Sequence, residues 1–147
     1  MIRLPKDFSD FLKLLNSKQI KYLVIGGWAV GYYGYPRATG DMDVWISREK
    51  ENADKIVEAF KEFGFDVPSL SIELFTKENQ VTRIGLPPMR IEVLTTISGV
   101  SFEECFSNRQ TVKVDGINID FISLEDLKKN KAASKRHKDL DALENLI

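Results

Sequence analysis

The chain has 147 residues, 43% of them hydrophobic and 29% charged, the size and balance of a single globular domain. A formal net charge of -1 excludes a protein that binds nucleic acid with its whole surface, so any such contact must come from a local patch. The lone Cys105 excludes an internal disulfide, and no apolar stretch nears the roughly 18 residues of a membrane span and no signal-peptide pattern is present, so a cytoplasmic protein is expected.

Phe8, Phe11, Leu12 and Leu15 fall at helical spacing and predict a helix over 7–17, with Asp7 as its N-cap. Tyr22–Ile25 is short, apolar and β-branched and reads as a buried strand. Gly26-Gly27 stops it, a short helix follows over 28–33, and 35–40 reads as loop. A second strand over Met42–Ile46 turns Met42, Val44 and Ile46 to the core and leaves Asp41, Asp43 and Trp45 on the other face. Ser47 is placed to cap a helix running to Phe63, which Gly64 ends.

A helical turn is expected within 69–75, and strands over 81–86 and 89–95 meet at Pro87-Pro88. A short helix over 101–108 precedes two strands flanking Asp115-Gly116, a strong hairpin signal. Ser123 and Asp126 resemble a capping box at the start of a helical region that extends towards Ile147. Read in order, the elements predict an α+β fold with a mixed β-sheet flanked by helices and a helical C-terminus.

Two features carry chemistry. Gly26-Gly27 closes an apolar strand with bare backbone amides, which suit a phosphate; a plain tight turn is the alternative. Asp41 and Asp43 alternate onto one face of a strand, where two carboxylates repel unless a cation or proton lies between them. Polar alternation on a wet face is the alternative there. Together they offer a polyphosphate turn beside oxygen ligands of the kind magnesium takes, hardware for phosphoryl or nucleotidyl transfer.

Ile25-Gly26-Gly27, thirteen intervening residues and Asp41-Met42-Asp43-Val44 resemble the signature of the DNA polymerase beta-like nucleotidyltransferase superfamily. The longer run through Gly34-Tyr35-Pro36-Arg37-Ala38-Thr39 is closer to its branch of AbiEii-type toxins and small nucleotidyltransferase-fold proteins. Arg90-Ile91-Glu92-Val93-Leu94, Val100-Ser101-Phe102-Glu103-Glu104, Ser123-Leu124-Glu125-Asp126-Leu127, and Lys131 followed by Arg136-His137-Lys138-Asp139 extend the likeness over most of the chain.

The resemblance implies that Gly26 and Gly27 hold the phosphates of an NTP, and that Asp41 and Asp43 bind two Mg2+ ions, with Mn2+ as a substitute. Glu92 matches the third carboxylate of the superfamily, which is usually aspartate. Its extra methylene moves the carboxylate by about 1.5 Å, so it binds metal, acts as a base through water, or is simply a strand charge paired with Arg90. Asp120 is the rival third carboxylate. Arg37 and Thr39, in the loop before the aspartates, are candidate nucleotide contacts, with a surface-loop arginine as the alternative.

In the basic C-terminal run, the resemblance singles out Lys131 and Asp139 as site residues. Arg136 and Lys138 join them as phosphate or acceptor contacts; a solvated helix face is the alternative. His137, among cations, is a poor metal ligand, and Cys105 is expected in the core. Tyr32, Tyr33 and Tyr35 lie near the glycine turn, where a base needs a flat partner.

The implied activity is Mg2+-dependent transfer of an NMP from an NTP to an acceptor hydroxyl, with release of pyrophosphate. The acceptor is a tRNA 3′ end, a protein or a small molecule such as an antibiotic, and a cognate toxin or antitoxin is an implied partner. A non-catalytic nucleotide-binding or antitoxin-like module is the alternative.

Overall fold

The computed structural model describes residues 4–35, 40–85, 90–134, 144 and 146. Its strands are β1 (Tyr22–Ile25), β2 (Met42–Ile46), β3 (Val81–Ile84), β4 (Ile91–Leu94), β5 (Gln110–Val114) and β6 (Ile117–Phe121). Its helices are α1 (Lys6–Ser17), α2 (Gly26–Tyr32), α3 (Lys50–Glu62), α4 (Glu73–Thr76), α5 (Phe102–Ser107) and α6 (Leu124–Ser134). The strands form one six-stranded sheet in the order β3-β4-β2-β1-β6-β5. β1 runs antiparallel to β2 and parallel to β6, and β2 runs parallel to β4. β3–β4 and β5–β6 are antiparallel hairpins. The chain therefore has the expected α+β architecture, a mixed sheet with helices against it and a helical C-terminal region.

Strand alternation explains how the layers assemble. All four residues of β1 are buried, as befits a strand inside the sheet. On one face Tyr22 donates its hydroxyl to Asn16 Oδ1 of α1 at 2.9 Å, and α1 meets α3 through Phe11, edge-on to Phe60 and Phe63. On the opposite face Trp45 packs edge-on against Phe102 of α5 and donates to the Thr95 carbonyl at 3.2 Å. Trp45 thus shares the face of Asp41 and Asp43, yet it is buried, because α5 covers that end.

Local signals fare unevenly. Asp115 and Gly116 hold φ of 50° and 81°, the left-handed pair that a two-residue hairpin turn requires. Asp7 lies in the first turn of α1 and Pro5 takes the N-cap. α3 starts at Lys50 after Glu49; Ser47 bonds the Glu49 amide at 3.3 Å without capping the helix. The buried Asn52 does more there, bonding both Lys21 backbone groups and the Ser47 carbonyl. Ser123 accepts from the Asp126 amide at 3.1 Å, while the Asp126 carboxylate takes a bond from Asn108, so half of the capping box forms.

Cys105 is buried as expected, and burial, with help from Asp126, pushes its thiol up to about 12. An unfolded thiol ionises near 8.5. Its contribution to stability is therefore complete below pH 8 and declines as pH rises from there towards 12. Iodoacetamide at pH 8 is expected to spare Cys105 in the folded chain and alkylate it in urea; rapid labelling of the folded chain would contradict this. No helix among the described residues is long and apolar enough to cross a membrane.

Candidate active site

β1 ends at Ile25 and the chain turns at Gly26 with φ +65°. A β-carbon built on Gly26 would lie 2.3 Å from Asp43 Oδ2. The Asp43 carboxylate thus rests against a backbone position that only glycine leaves open. Gly27 follows in the first turn of α2.

Register brings the other carboxylates alongside. Asp43 stands opposite Ile25 on β1 and Glu92 on β4, and Glu92 stands opposite Arg83 on β3. Residues in register share a sheet face, so Ile25, Asp43, Glu92 and Arg83 form one row across four strands. The Met42 amide donates to the Arg90 carbonyl at 2.9 Å, which sets Asp41 beside Arg90 just beyond that row. Arg90 Nη2 donates to Asp41 Oδ2 at 3.1 Å and lies 4.0 Å from Glu92 Oε1. Arg83 Nε donates to Glu92 Oε1 at 3.1 Å. The Asp41 carboxylate holds the Arg90 guanidinium above its ordinary value, firmly charged.

Glu92 and Arg90 share a face, as alternation requires, but the nearer cation is Arg83. Sequence reasoning missed it. The available signal was its even spacing from Val81 on a strand paired with β4, which becomes usable once the hairpin register is known.

The wall opposite the sheet comes from α6. Lys131 is only 3% exposed and lines, with Gly26, Asp43, Thr96 and Ser98, a cleft of about 330 Å³. Two contacts seat the helix. Asn130 Nδ2 donates to the Ser98 carbonyl at 3.0 Å. Gly99, with φ +82°, would place a β-carbon 2.4 Å from Ala133 Cβ. The loop between β4 and α5 therefore approaches α6 as closely as a glycine allows.

The structure thus gathers Gly26, Asp43 and Lys131 around one cleft, with Asp41 and Glu92 in adjoining positions. Asp120 lies elsewhere: it accepts from Thr111 at 2.6 Å, lies 3.6 Å from Arg109, and lines a separate cleft with Lys13 and Asn16. Tyr32 stacks on Phe121 at 4.6 Å, and Tyr33 donates to the Ile122 carbonyl at 2.6 Å, so both serve packing. Arg37, Thr39, Arg136, His137, Lys138 and Asp139 lie outside the described residues.

Residues 5–147 match the DUF2204 family, described as nucleotidyl transferase of unknown function. The chain belongs to this family. No match was found among curated proteins. Solved structures that resemble the DUF2204 chain in fold include the following. A candidate nucleotidyltransferase from Thermotoga maritima, TM1012, superposes with a TM-score of 0.64 at 18% identity, covering 95% of this chain and 89% of that one. An antigenic nucleotidyltransferase-like protein from Paracoccidioides brasiliensis gives 0.56 at 16% identity, with 95% and 74% covered. The lincosamide antibiotic adenylyltransferase LnuA, solved with lincomycin bound, gives 0.57 at 13% identity, with 97% and 96% covered. At these identities the likeness is one of fold. DUF2204 membership and this fold together support nucleotidyl transfer as the class of activity.

Proposed function

We propose that this DUF2204 chain transfers a nucleoside monophosphate from an NTP to an acceptor hydroxyl and releases pyrophosphate. The observation that carries the reading is the meeting of Gly26, Asp43 and Lys131 at one cleft, with Glu92 in register beside Asp43. The acceptor oxygen attacks the α-phosphorus as the bond from that phosphorus to the β-bridging oxygen breaks. The acceptor proton passes to a carboxylate of the row, Asp43 or Glu92. Backbone amides at Gly26 and Gly27 orient the phosphates. Lys131, buried and cationic, stabilises the charge that develops on the transferred and departing phosphates.

The residues suit magnesium by donor chemistry. Asp41, Asp43 and Glu92 offer hard oxygen ligands, and magnesium is usually held by one or two carboxylates together with substrate phosphates and water. Among the described residues no group of three or more His, Cys, Asp or Glu could hold a metal ion, so phosphate oxygens of the substrate would have to supply the remaining ligands. When bound, Mg2+ or Mn2+ would neutralise phosphate charge and lower the pKa of the acceptor hydroxyl.

The proposal extends to a small hydroxyl-bearing acceptor, in keeping with the antibiotic named for LnuA and with a chain of net charge -1. A tRNA end would instead rely on the basic run that begins at Lys128. A cytoplasmic setting rests on the single cysteine, which suits a reducing compartment, and a cognate toxin or antitoxin partner rests on the sequence likeness to AbiEii-type toxins. A second reading, nucleotide binding without turnover, is favoured by the arginines already bonded to Asp41 and Glu92.

Transfer of label from each α-labelled NTP, with magnesium or manganese, to total RNA, cell protein, aminoglycosides and lincosamides separates these readings. Asp41→Asn and Asp43→Asn are each expected to lower incorporation by roughly 10²- to 10³-fold with an unchanged circular dichroism spectrum. Incorporation that survives both substitutions would remove these aspartates from the chemistry. Saturable NTP binding with no incorporation into any acceptor would favour the non-catalytic reading.

A further inference from the structure

The carboxylate row is already balanced by the chain's own cations. Asp41, Asp43 and Glu92 supply three negative charges; Arg83 and Arg90 on the sheet and Lys131 from α6 supply three positive ones. The most central of these cations is Arg90. Its Nη2 bonds Asp41 at 3.1 Å and lies 4.0 Å from Glu92, so one guanidinium nitrogen stands between two carboxylates. Strand pairing holds it there, because the Met42 amide binds the Arg90 carbonyl on the adjacent strand. Its Nε is buried and has no hydrogen-bond partner among the described residues, so the Nη2 bond to Asp41 and the ion pair with Glu92 carry the recognition.

A divalent ion seeking the same oxygens meets a fixed positive charge beside them. Metal alone would take a neutral cluster to a surplus of two positive charges, which favours the ion's departure. Metal that arrives with a triphosphate brings compensating negative charge, and a guanidinium turned from Asp41 finds phosphate oxygens, its preferred bidentate partners.

We propose that Arg90 is a positioning residue that occupies the carboxylates until nucleotide arrives, so that metal and NTP bind as a coupled pair and neither binds tightly alone. This rests on the reading of Asp41, Asp43 and Glu92 as the metal-facing carboxylates. Arg83 plays a lesser part, since it is half exposed and reaches Glu92 alone.

Mn2+ binding to the full chain, read from the paramagnetic resonance signal of the unbound ion, tests this with and without α,β-methylene ATP. Wild type is expected to bind Mn2+ weakly alone and at least about tenfold more tightly with the analogue. Arg90→Gln is expected to bind Mn2+ alone about tenfold more tightly than wild type, to bind the analogue more weakly, and to lose most of the coupling. Arg90→Lys, which keeps a charge, stays near wild type, and Arg83→Gln shifts less than Arg90→Gln.

The sign is diagnostic: a merely structural arginine, once removed, would weaken metal binding. Equal or weaker Mn2+ affinity in Arg90→Gln, with Asp43→Asn still abolishing binding, would overturn the role of Arg90 and leave the carboxylate site standing. Mn2+ binding indifferent to both Asp41→Asn and Asp43→Asn would overturn the site itself.

Discussion

Gly26→Ala is expected to destabilise the fold by roughly 2–4 kcal/mol and to abolish detectable transfer. Two independent costs meet at this position. A residue with a β-carbon at φ +65° is strained by about 1–2 kcal/mol. The added carbon would also lie 2.3 Å from Asp43 Oδ2, inside the contact distance of any atom pair. Every close atom belongs to the Asp43 side chain, so room is made only by turning the carboxylate away from the place it holds beside Gly26. The displaced group is thus the carboxylate assigned to metal and proton.

Gly31→Ala is the matched control. Its β-carbon would meet nothing within 4 Å, and alanine in a helix gains about 0.5–1 kcal/mol over glycine. Urea midpoints and labelled transfer on the two variants decide the matter. Wild-type turnover in Gly26→Ala would show that the close approach to Asp43 has no catalytic meaning.

The second large effect is expected at Lys131. Lys131→Met should lower turnover by roughly 10²- to 10³-fold while the urea midpoint stays within about 1 kcal/mol of wild type. The stem of a lysine that is 3% exposed packs like an apolar chain, and methionine keeps most of that volume. Asp43, which shares the cleft, is only half-buried and retains access to water, so its charge is not stranded. Lys131→Ala adds a cavity and costs stability as well, which makes methionine the cleaner probe. Turnover unchanged in Lys131→Met would reduce the lysine to a packing residue, and a collapse of stability and turnover together would make its charge structural.

Much of the layout is legible from short-range pattern. Tyr22–Ile25, Met42–Ile46 and the Asp115-Gly116 hairpin follow from apolar runs and turn chemistry, and each lies where those signals put it. Caps were less legible. Asp7 and Ser47 are good capping residues in isolation, yet Pro5 and Glu49 precede the helices; at α3 the bonds of Asn52 to Lys21 and Ser47 tie down the entry of the chain. The pairing of Glu92 with Asp43 was anticipated by family likeness and explained by the parallel register of β2 and β4. Arg83 was harder to place, because its pairing with Glu92 depends on the hairpin register, which no local period sets. The same holds for Gly99, whose role appears only when Ala133 is seen against it.

The β3–β4 hairpin has a consequence for assembly. Arg83, Arg90 and Glu92 all belong to it, and its strands are close in sequence, so it forms by closing a short loop. β2 lies far upstream and joins β4 in parallel, a slower, non-local step. Within the hairpin alone, Glu92 already has both arginines beside it. The edge that the hairpin turns to Asp41 and Asp43 is thus positive on balance, two arginines against one glutamate, which offsets the repulsion among the three carboxylates of the site.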